Sequence, residues 1–175
     1  MKTLIASFLI LVGVVVSFDE FAAATRKRGK EDTPTLRMIE QVGKERGASP
    51  TLIRVVKTIA CKESACGRNP VMAREKSKSW ARIAKKIARD HAEFNELMHS
   101  YGSTQLSGLY TKIEYGIDPK LLLDDEINIP IAFDKAGKLL NSCRGSSYCT
   151  YARWNGTGER AKAYARDSIK IENNV

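Results

Sequence analysis

The stretch from Ser49 to Ser64, SPTLIRVVKTIACKES, predicts the helix around which the fold is built. Serine followed by proline is typical of a helix start, because serine caps free N–H groups and proline fits the first helical position. Leu52, Val56 and Ile59 then follow one another at spacings of four and three residues. Such spacing places them on one helix face, so the stretch is expected to pack that face against a hydrophobic core.

The same apolar stripe ends in a carboxylate, Glu63. At about 100° per residue, its side chain projects about 20° from those of Leu52 and Val56. Burial and the negative end of the helix dipole both disfavour ionisation there, so we expect a raised pKa. A raised pKa suits a general acid that works near neutral pH. The alternative is a structural glutamate that pairs with Lys62 or Arg68.

Helical periodicity continues through most of the chain, and no segment shows a convincing strand alternation. Thr33-Pro34 opens an earlier helix, which Gly47 closes. Further helical patterns cover residues 78–89, 91–99, 104–115, 125–141, 147–154 and 158–171. Hydrophobic residues make up 43% and charged residues 28% of the chain, a mix typical of globular proteins. The sequence therefore predicts an all-α fold, with residues 34–175 as a single compact domain.

The N-terminus has the pattern of an export signal. Met1-Lys2 precedes an apolar run from Leu4 to Val16, which is short for a membrane span. Ala22 and Ala24 are small at the positions that a signal peptidase reads, so we expect a signal peptide over 1–24. Cleavage after Ser17 and an uncleaved anchor are the alternatives. A charged linker over 25–33 would follow, and the protein would be periplasmic or extracellular.

Export favours disulfides for the four cysteines, which allow three connectivities. Cys143 and Cys149 would close a small local loop. Cys61 and Cys66 would need their helix to end early, since five helical residues leave the side chains about 140° apart. Long-range pairing stays open. Zinc binding is a further alternative, although the spacings are not CxxC.

The net charge of +9 is concentrated in residues 74–89, where basic residues flank an apolar stripe. This amphipathic basic helix suits weak contact with an anionic membrane or wall polymer; the alternative is a solvated face of a helix packed on the core. Export argues against nucleic acid as a partner. His91 and His99 lie about 80° apart in helical projection, so they do not indicate a shared metal. No glycine loop or Gly-x-Ser-x-Gly motif is present, and we expect no metal or cofactor.

Lys62-Glu63-Ser64, followed by Gly67, Asn69 and Pro70, resembles the Glu-Ser motif of soluble-type lytic transglycosylases, relatives of goose-type lysozyme. Further segments resemble the family in the same order and extend the resemblance to about residues 50–170. They are SYGSTQLSG at 100–108, LDDEINI at 123–129, RWNGTG at 153–158 and ERAKAY at 159–164. The chain departs from the family pattern at Thr104, where Met is usual, at Trp154, where Tyr is usual, and in a helical insertion at about 74–99.

The resemblance implies a lysozyme-like fold that cleaves the β-1,4 bond between N-acetylmuramic acid and N-acetylglucosamine in peptidoglycan. Glu63 would protonate the leaving oxygen and then, as a carboxylate, take the proton of the sugar's own 6-hydroxyl, which gives a 1,6-anhydro product. Ordinary glycosidases need a second carboxylate, and the sequence marks none; we expect Asp124 and Asp125 to cap a helix.

The resemblance also implies roles for other residues. Ser64 would bond substrate or its own helix carbonyls, while Gln105 and Asn155 would hold sugar amides or backbone. Tyr164 would bond Glu63, and Tyr101 is a further substrate-binding candidate. The alternatives are turn chemistry for Asn155 and a core position for Tyr164.

The partners implied are peptidoglycan strands and, for many members, a secretion or conjugation machine; we expect a monomer. The alternative functions are a hydrolase of the same bond, as in goose-type lysozyme, and an inactive wall-binding module.

Overall fold

The computed structural model describes residues 32–70 and 73–175. The predicted signal peptide and the linker up to residue 31 lie outside the described residues. In the described ranges the chain forms eight α-helices, one 3₁₀ helix and three short strands. In chain order they are α1 (Pro34–Glu45), α2 (Pro50–Ser64), β1 (Ala73–Arg74), α3 (Lys78–Ile87), α4 (His91–Leu97), β2 (His99–Tyr101), β3 (Leu106–Ser107), α5 (Gly108–Tyr115), the 3₁₀ helix (Pro119–Leu123), α6 (Asp125–Ser142), α7 (Ser147–Asn155) and α8 (Gly158–Glu172). The fold is predominantly α-helical, as predicted.

The predicted start signals of α1 and α2 are confirmed. Of the two aspartates expected to cap α6, Asp124 does so, whereas Asp125 is the first helical residue and its Oδ2 accepts the Thr35 hydroxyl at 2.7 Å. The hydroxyl of Thr33 accepts a hydrogen bond from the N–H of Leu36, and that of Ser49 accepts one from Leu52, both at 3.2 Å. Asp124 caps α6 by accepting the N–H of Glu126 at 2.9 Å. Each bond satisfies a backbone donor that a helix start leaves free, which stabilises the helix by about 1 kcal/mol.

Helix α2 lies at the centre of the main core and packs against α1, α6, α7 and α8. Val55, Val56 and Ile59 are fully buried, and burial of each such side chain stabilises the fold by about 1.5–3 kcal/mol. A second, smaller core joins α3, α4 and α5 around Leu97 and Leu109. The predicted insertion at about 74–99 therefore contains two helices, which share this core with α5.

The antiparallel sheet is the main feature that the sequence did not predict. Its strand order is β1-β2-β3, with Ala73 opposite Ser100 and Tyr101 opposite Leu106. Strands of two or three residues are too short to show an alternating pattern. They form because other parts of the fold hold them beside one another.

The prediction of a helix over 104–115 was wrong at its start. Gln105 has a φ of 50°, which interrupts any helix there, and the hydroxyl of Ser107 caps α5 instead. Residues 102–105 form the turn between β2 and β3, so this segment is a hairpin. Helix-forming composition continued across a turn that the sequence pattern did not mark.

The four cysteines form the two local disulfides, Cys61–Cys66 and Cys143–Cys149, so the long-range and zinc alternatives were wrong. The first pairing is allowed because α2 ends at Ser64 and Ala65 turns into the left-handed region, with a φ of 53°. Disulfides are typical of proteins in an oxidising compartment, in agreement with an exported protein. None of the helices in the described ranges has the length and apolarity that a membrane crossing requires.

Candidate functional site

The candidate site is built on Glu63, in the last turn of α2. Its side chain is partly buried, and its Oε1 accepts a hydrogen bond from the hydroxyl of Tyr164 at 2.6 Å. Tyr164 lies on α8, 101 residues further along the chain, and the packing of α8 on α2 brings the two together. The contact that the resemblance predicted between these two residues is confirmed.

The electrostatic surroundings favour a neutral Glu63. Burial raises the pKa of its carboxyl above the ordinary value, and this exceeds the lowering by the Tyr164 hydrogen bond and by the charges of Lys135 and Lys62. Burial also raises the pKa of Tyr164 well above its ordinary value. The phenol therefore stays protonated and acts as the hydrogen-bond donor to Oε1. Because Oε1 accepts this hydrogen bond, Oε2 is the oxygen left to carry a proton when Glu63 is in its acid form.

Lys62 forms its ion pair with Asp167 and not with Glu63. The Lys62 Nζ instead lies 3.4 Å from Asp167 Oδ2 and 5.7 Å from the ring centroid of Tyr164. It therefore packs over the tyrosine that donates to Glu63 while its charge faces a different carboxylate.

Lys135, on α6, belongs to the site and was missed at the level of sequence. Its Nζ lies 4.0 Å from the ring centroid of Trp154 and 5.2 Å from that of Tyr110. Burial lowers the pKa of Lys135 to about 8, although the charge of Glu63 raises it. Lys135 follows the buried Ile131 by four residues, so the stripe argument that selected Glu63 could have found it.

Among the described residues, no carboxylate oxygen lies within 4.0 Å of the Lys135 Nζ. The aromatic faces of Trp154 and Tyr110 therefore hold this cation by cation–π attraction. The ring of Trp154 thus serves as the platform for this charge.

Glu75 is a second carboxylate near Glu63, and no sequence pattern marked it. Its Oε1 accepts a hydrogen bond from the Ser100 hydroxyl at 3.0 Å, and its N–H donates to the Met98 carbonyl at 2.6 Å. Its charge raises the pKa of both Glu63 and Lys135, which places it within electrostatic reach of the two. The pairing of β1 with β2 brings it there.

Of the two roles expected for Ser64, a bond to substrate and a bond to a carbonyl of its own helix, the structure shows the second. Its Oγ lies 2.9 Å from the Ala60 carbonyl and 2.7 Å from the Ser103 carbonyl, and it accepts the Gly67 N–H at 2.8 Å. The residue is only 2% exposed, and these contacts keep its hydroxyl within the protein. It ties the end of α2 to the β2–β3 hairpin.

Asn128 holds the same hairpin from α6. Its Nδ2 donates to the carbonyls of Tyr101 and Leu122, each at 3.1 Å, and its Oδ1 accepts from the Thr104 hydroxyl at 2.7 Å. Gly102 has a φ of 75°, and a Cβ there would lie 2.3 Å from the Asn128 Nδ2. The close approach of the hairpin to α6 therefore requires glycine at this position.

The other predicted site residues also make contacts within the protein. The Nε2 of Gln105 donates to the Gly102 carbonyl at 3.1 Å, and the Tyr101 hydroxyl donates to the Glu96 carbonyl at 2.9 Å. Tyr101 is 2% exposed and borders a cavity of about 330 Å³ whose lining does not include Glu63. Asn155 is exposed at the end of α7. Across the described ranges, Tyr164 is the member of the predicted set that bonds Glu63.

The chain matches no family model, no curated protein and no solved structure. Within the described residues, no group of three or more His, Cys, Asp or Glu side chains is placed to hold a metal ion.

Removing the charge of Lys135 should raise the pKa of Glu63, because a nearby cation favours the carboxylate form. We expect Lys135→Met to shift the Glu63 titration to higher pH in a carboxyl-carbon NMR titration. Lys138→Met is the matched control, since Lys138 is an exposed lysine on the same helix. An unchanged Glu63 titration in Lys135→Met would show that the lysine does not act on this carboxyl.

Proposed function

We propose that the protein is an exported peptidoglycan lytic transglycosylase with a lysozyme-like fold. The observation that carries the proposal is the partly buried Glu63 carboxyl, with a raised pKa, held at Oε1 by the Tyr164 hydroxyl. A general acid in a glycan-cleaving site needs a protonated carboxyl whose orientation is set by a neighbour. The Glu-Ser motif and the four further sequence segments that resemble the family, in the family's order, support the same activity.

The proposed reaction uses Glu63 twice. Its Oε2 proton passes to the glycosidic oxygen while the bond from that oxygen to the muramoyl C1 breaks. The 6-hydroxyl of the same sugar attacks C1, and its proton returns to the Glu63 carboxylate. The products are a 1,6-anhydro-muramoyl end and a free N-acetylglucosamine 4-hydroxyl, so no water is consumed and no cofactor is needed.

Product analysis in H₂¹⁸O tests this proposal. Residues 25–175 include both disulfides and every contact described above, and would be incubated with purified peptidoglycan. We expect soluble muropeptides with anhydro ends and without ¹⁸O in mass spectra. Reducing ends that carry ¹⁸O would instead identify a hydrolase. Binding without soluble products would favour a wall-binding module, and failure of both binding and release would contradict all three functions.

Hydrolysis of the same bond is the second candidate function, and Glu75 is the observation that favours it. Inverting glycosidases use a second carboxylate as a general base for water, and retaining ones use it as a nucleophile. Glu75 lies within electrostatic reach of Glu63 and is held by Ser100.

Glu75→Gln separates the two reactions. For a transglycosylase we expect anhydro products to continue within about tenfold of the wild-type rate, because Glu63 is both acid and base. For a hydrolase, loss of the base should lower the rate by about 10²–10⁴-fold and remove the ¹⁸O-labelled ends. Glu45→Gln, an exposed glutamate on α1, is the control and should leave rate and products unchanged.

A further inference from the structure

Helix α3 and the residues just before and after it carry a concentration of positive charge that the structure leaves largely unpaired. Between residues 76 and 89 the chain has six basic and no acidic residues. All six are exposed: Lys76, Lys78, Arg82, Lys85, Lys86 and Arg89. Arg89 pairs with Glu93 at 2.9 Å, whereas the other five have no carboxylate within 4.0 Å among the described residues. The four on the helix itself, Lys78, Arg82, Lys85 and Lys86, are called the α3 basic face below, and none of them has an acidic partner among the described residues.

Two isoleucines stand exposed at the edge of the α3 basic face. Ile83 is 43% and Ile87 42% exposed, and their spacing of four places them side by side. The opposite edge of the helix packs on the small core through the fully buried Ala84. At about 100° per residue, Lys86 projects about 60° from Ile83, on the side away from Ala84. The isoleucine pair therefore lies between the core contact and the charges.

Unpaired basic side chains next to exposed isoleucines indicate the chemistry of the partner. Unpaired lysine and arginine side chains match phosphate groups, and a polyanion alone would satisfy them. Exposed isoleucines beside those charges gain nothing from a hydrated polymer, but they can enter the boundary between lipid headgroups and acyl chains. A helix with a basic face and an adjoining apolar edge fits the surface of an anionic bilayer.

We propose that α3 docks on membranes rich in anionic phospholipid, with Ile83 and Ile87 at the headgroup boundary and Arg82 and Lys86 against lipid phosphates. The proposal is independent of the activity at Glu63. If both hold, the domain works at a bilayer surface, where α3 sets its orientation.

Vesicle sedimentation tests the proposal. The chain from residue 25 is used, because the apolar run before it would itself bind lipid, and a melting curve confirms that each variant is folded. We expect sedimentation with vesicles of phosphatidylglycerol and phosphatidylcholine, little with phosphatidylcholine alone, and weakening by added salt. Absence of binding to the anionic vesicles would overturn the proposal.

Paired variants separate charge from apolar insertion. Arg82→Gln/Lys86→Gln should lower partitioning into anionic vesicles by about 25-fold, since each basic side chain near such a surface contributes about fivefold. Ile83→Ser/Ile87→Ser, with every charge intact, should lower it about tenfold. Lys138→Gln/Lys170→Gln removes two exposed lysines elsewhere and should change it by less than about twofold.

The isoleucine variant decides between a bilayer and a polyanion. If Ile83→Ser/Ile87→Ser binds anionic vesicles as well as the wild type does, the surface is a polyanion site and the membrane proposal is wrong. The membrane proposal would also be contradicted if the wild-type protein bound soluble polyphosphate with the same affinity as it binds anionic vesicles. A loss on vesicles together with unchanged polyphosphate binding would support lipid insertion.

Discussion

Glu63→Gln is expected to stop the release of glycan fragments, with a rate at least about 10³-fold below wild type. The amide has nearly the shape of the carboxyl and its oxygen can still accept the Tyr164 hydroxyl, so the packing of α2 on α8 is retained. What is lost is the transferable proton. The rate of soluble muropeptide release, measured by mass spectrometry, checks the expectation.

The same variant, which should lower activity, is expected to raise the stability of the fold. In the folded protein Glu63 keeps its proton at pH values where the unfolded chain has lost it, because burial raises its pKa. Unfolding then releases a proton, so the free energy of unfolding falls as pH rises from the ordinary glutamate pKa through the raised one. Glutamine does not titrate. The Tm of Glu63→Gln should therefore exceed that of wild type increasingly as pH rises through this window.

Glu45→Gln is the control for both measurements, since Glu45 is exposed. Wild-type activity in Glu63→Gln would rule out Glu63 as the acid. A Tm difference that does not change with pH would show that the carboxyl titrates alike in the folded and unfolded chain.

Asn128→Asp is expected to lower the free energy of unfolding by about 3–5 kcal/mol at neutral pH. The change keeps the shape of a fully buried side chain but replaces its NH₂ donor by oxygen. The carbonyls of Tyr101 and Leu122, each 3.1 Å from Nδ2, then lose their donor and face a carboxylate. At about 2–4 °C per kcal/mol, the Tm should fall by about 6–20 °C.

The pH dependence of this loss gives a second test. A buried aspartate without a cation has a raised pKa, so its protonated form should predominate at low pH and can donate to one carbonyl again. We therefore expect the Tm deficit to shrink as pH falls. Asn141→Asp, at an exposed position of the same helix, should change the Tm by no more than about 2 °C. A deficit of that small size in Asn128→Asp would mean that the hairpin does not depend on this network.

Features that depend on neighbours along the chain could be predicted. Thr33 and Ser49 cap their helices because a cap needs a hydroxyl within three residues of a free N–H. Glu63 stands out because the 3.6-residue period alone places it on the apolar stripe. The early end of α2, which allows the Cys61–Cys66 disulfide, had to be left open, since a left-handed residue at Ala65 has no sequence signature.

The hairpin and the second carboxylate could not be predicted. Strands of two residues carry no period, so Glu75 appears in the sequence as one charge in a basic segment. Lys135 lies between the features that the sequence could predict and those that it could not. Its place four residues after the buried Ile131 could have marked it as inward-facing, but the two aromatic rings that hold it come from α5 and α7.

Local periodicity and capping thus account for the helices and for the carboxyl that faces the core, because both depend on contacts within about one helical turn. The partners of that carboxyl come from distant segments. Tyr164 reaches it across 101 residues, and Lys135 and Glu75 act on its pKa from α6 and the end of β1. Only the packing of α6 and α8 on α2, together with the pairing of β1 and β2, decides those distances, since no local rule relates residues so far apart in the chain.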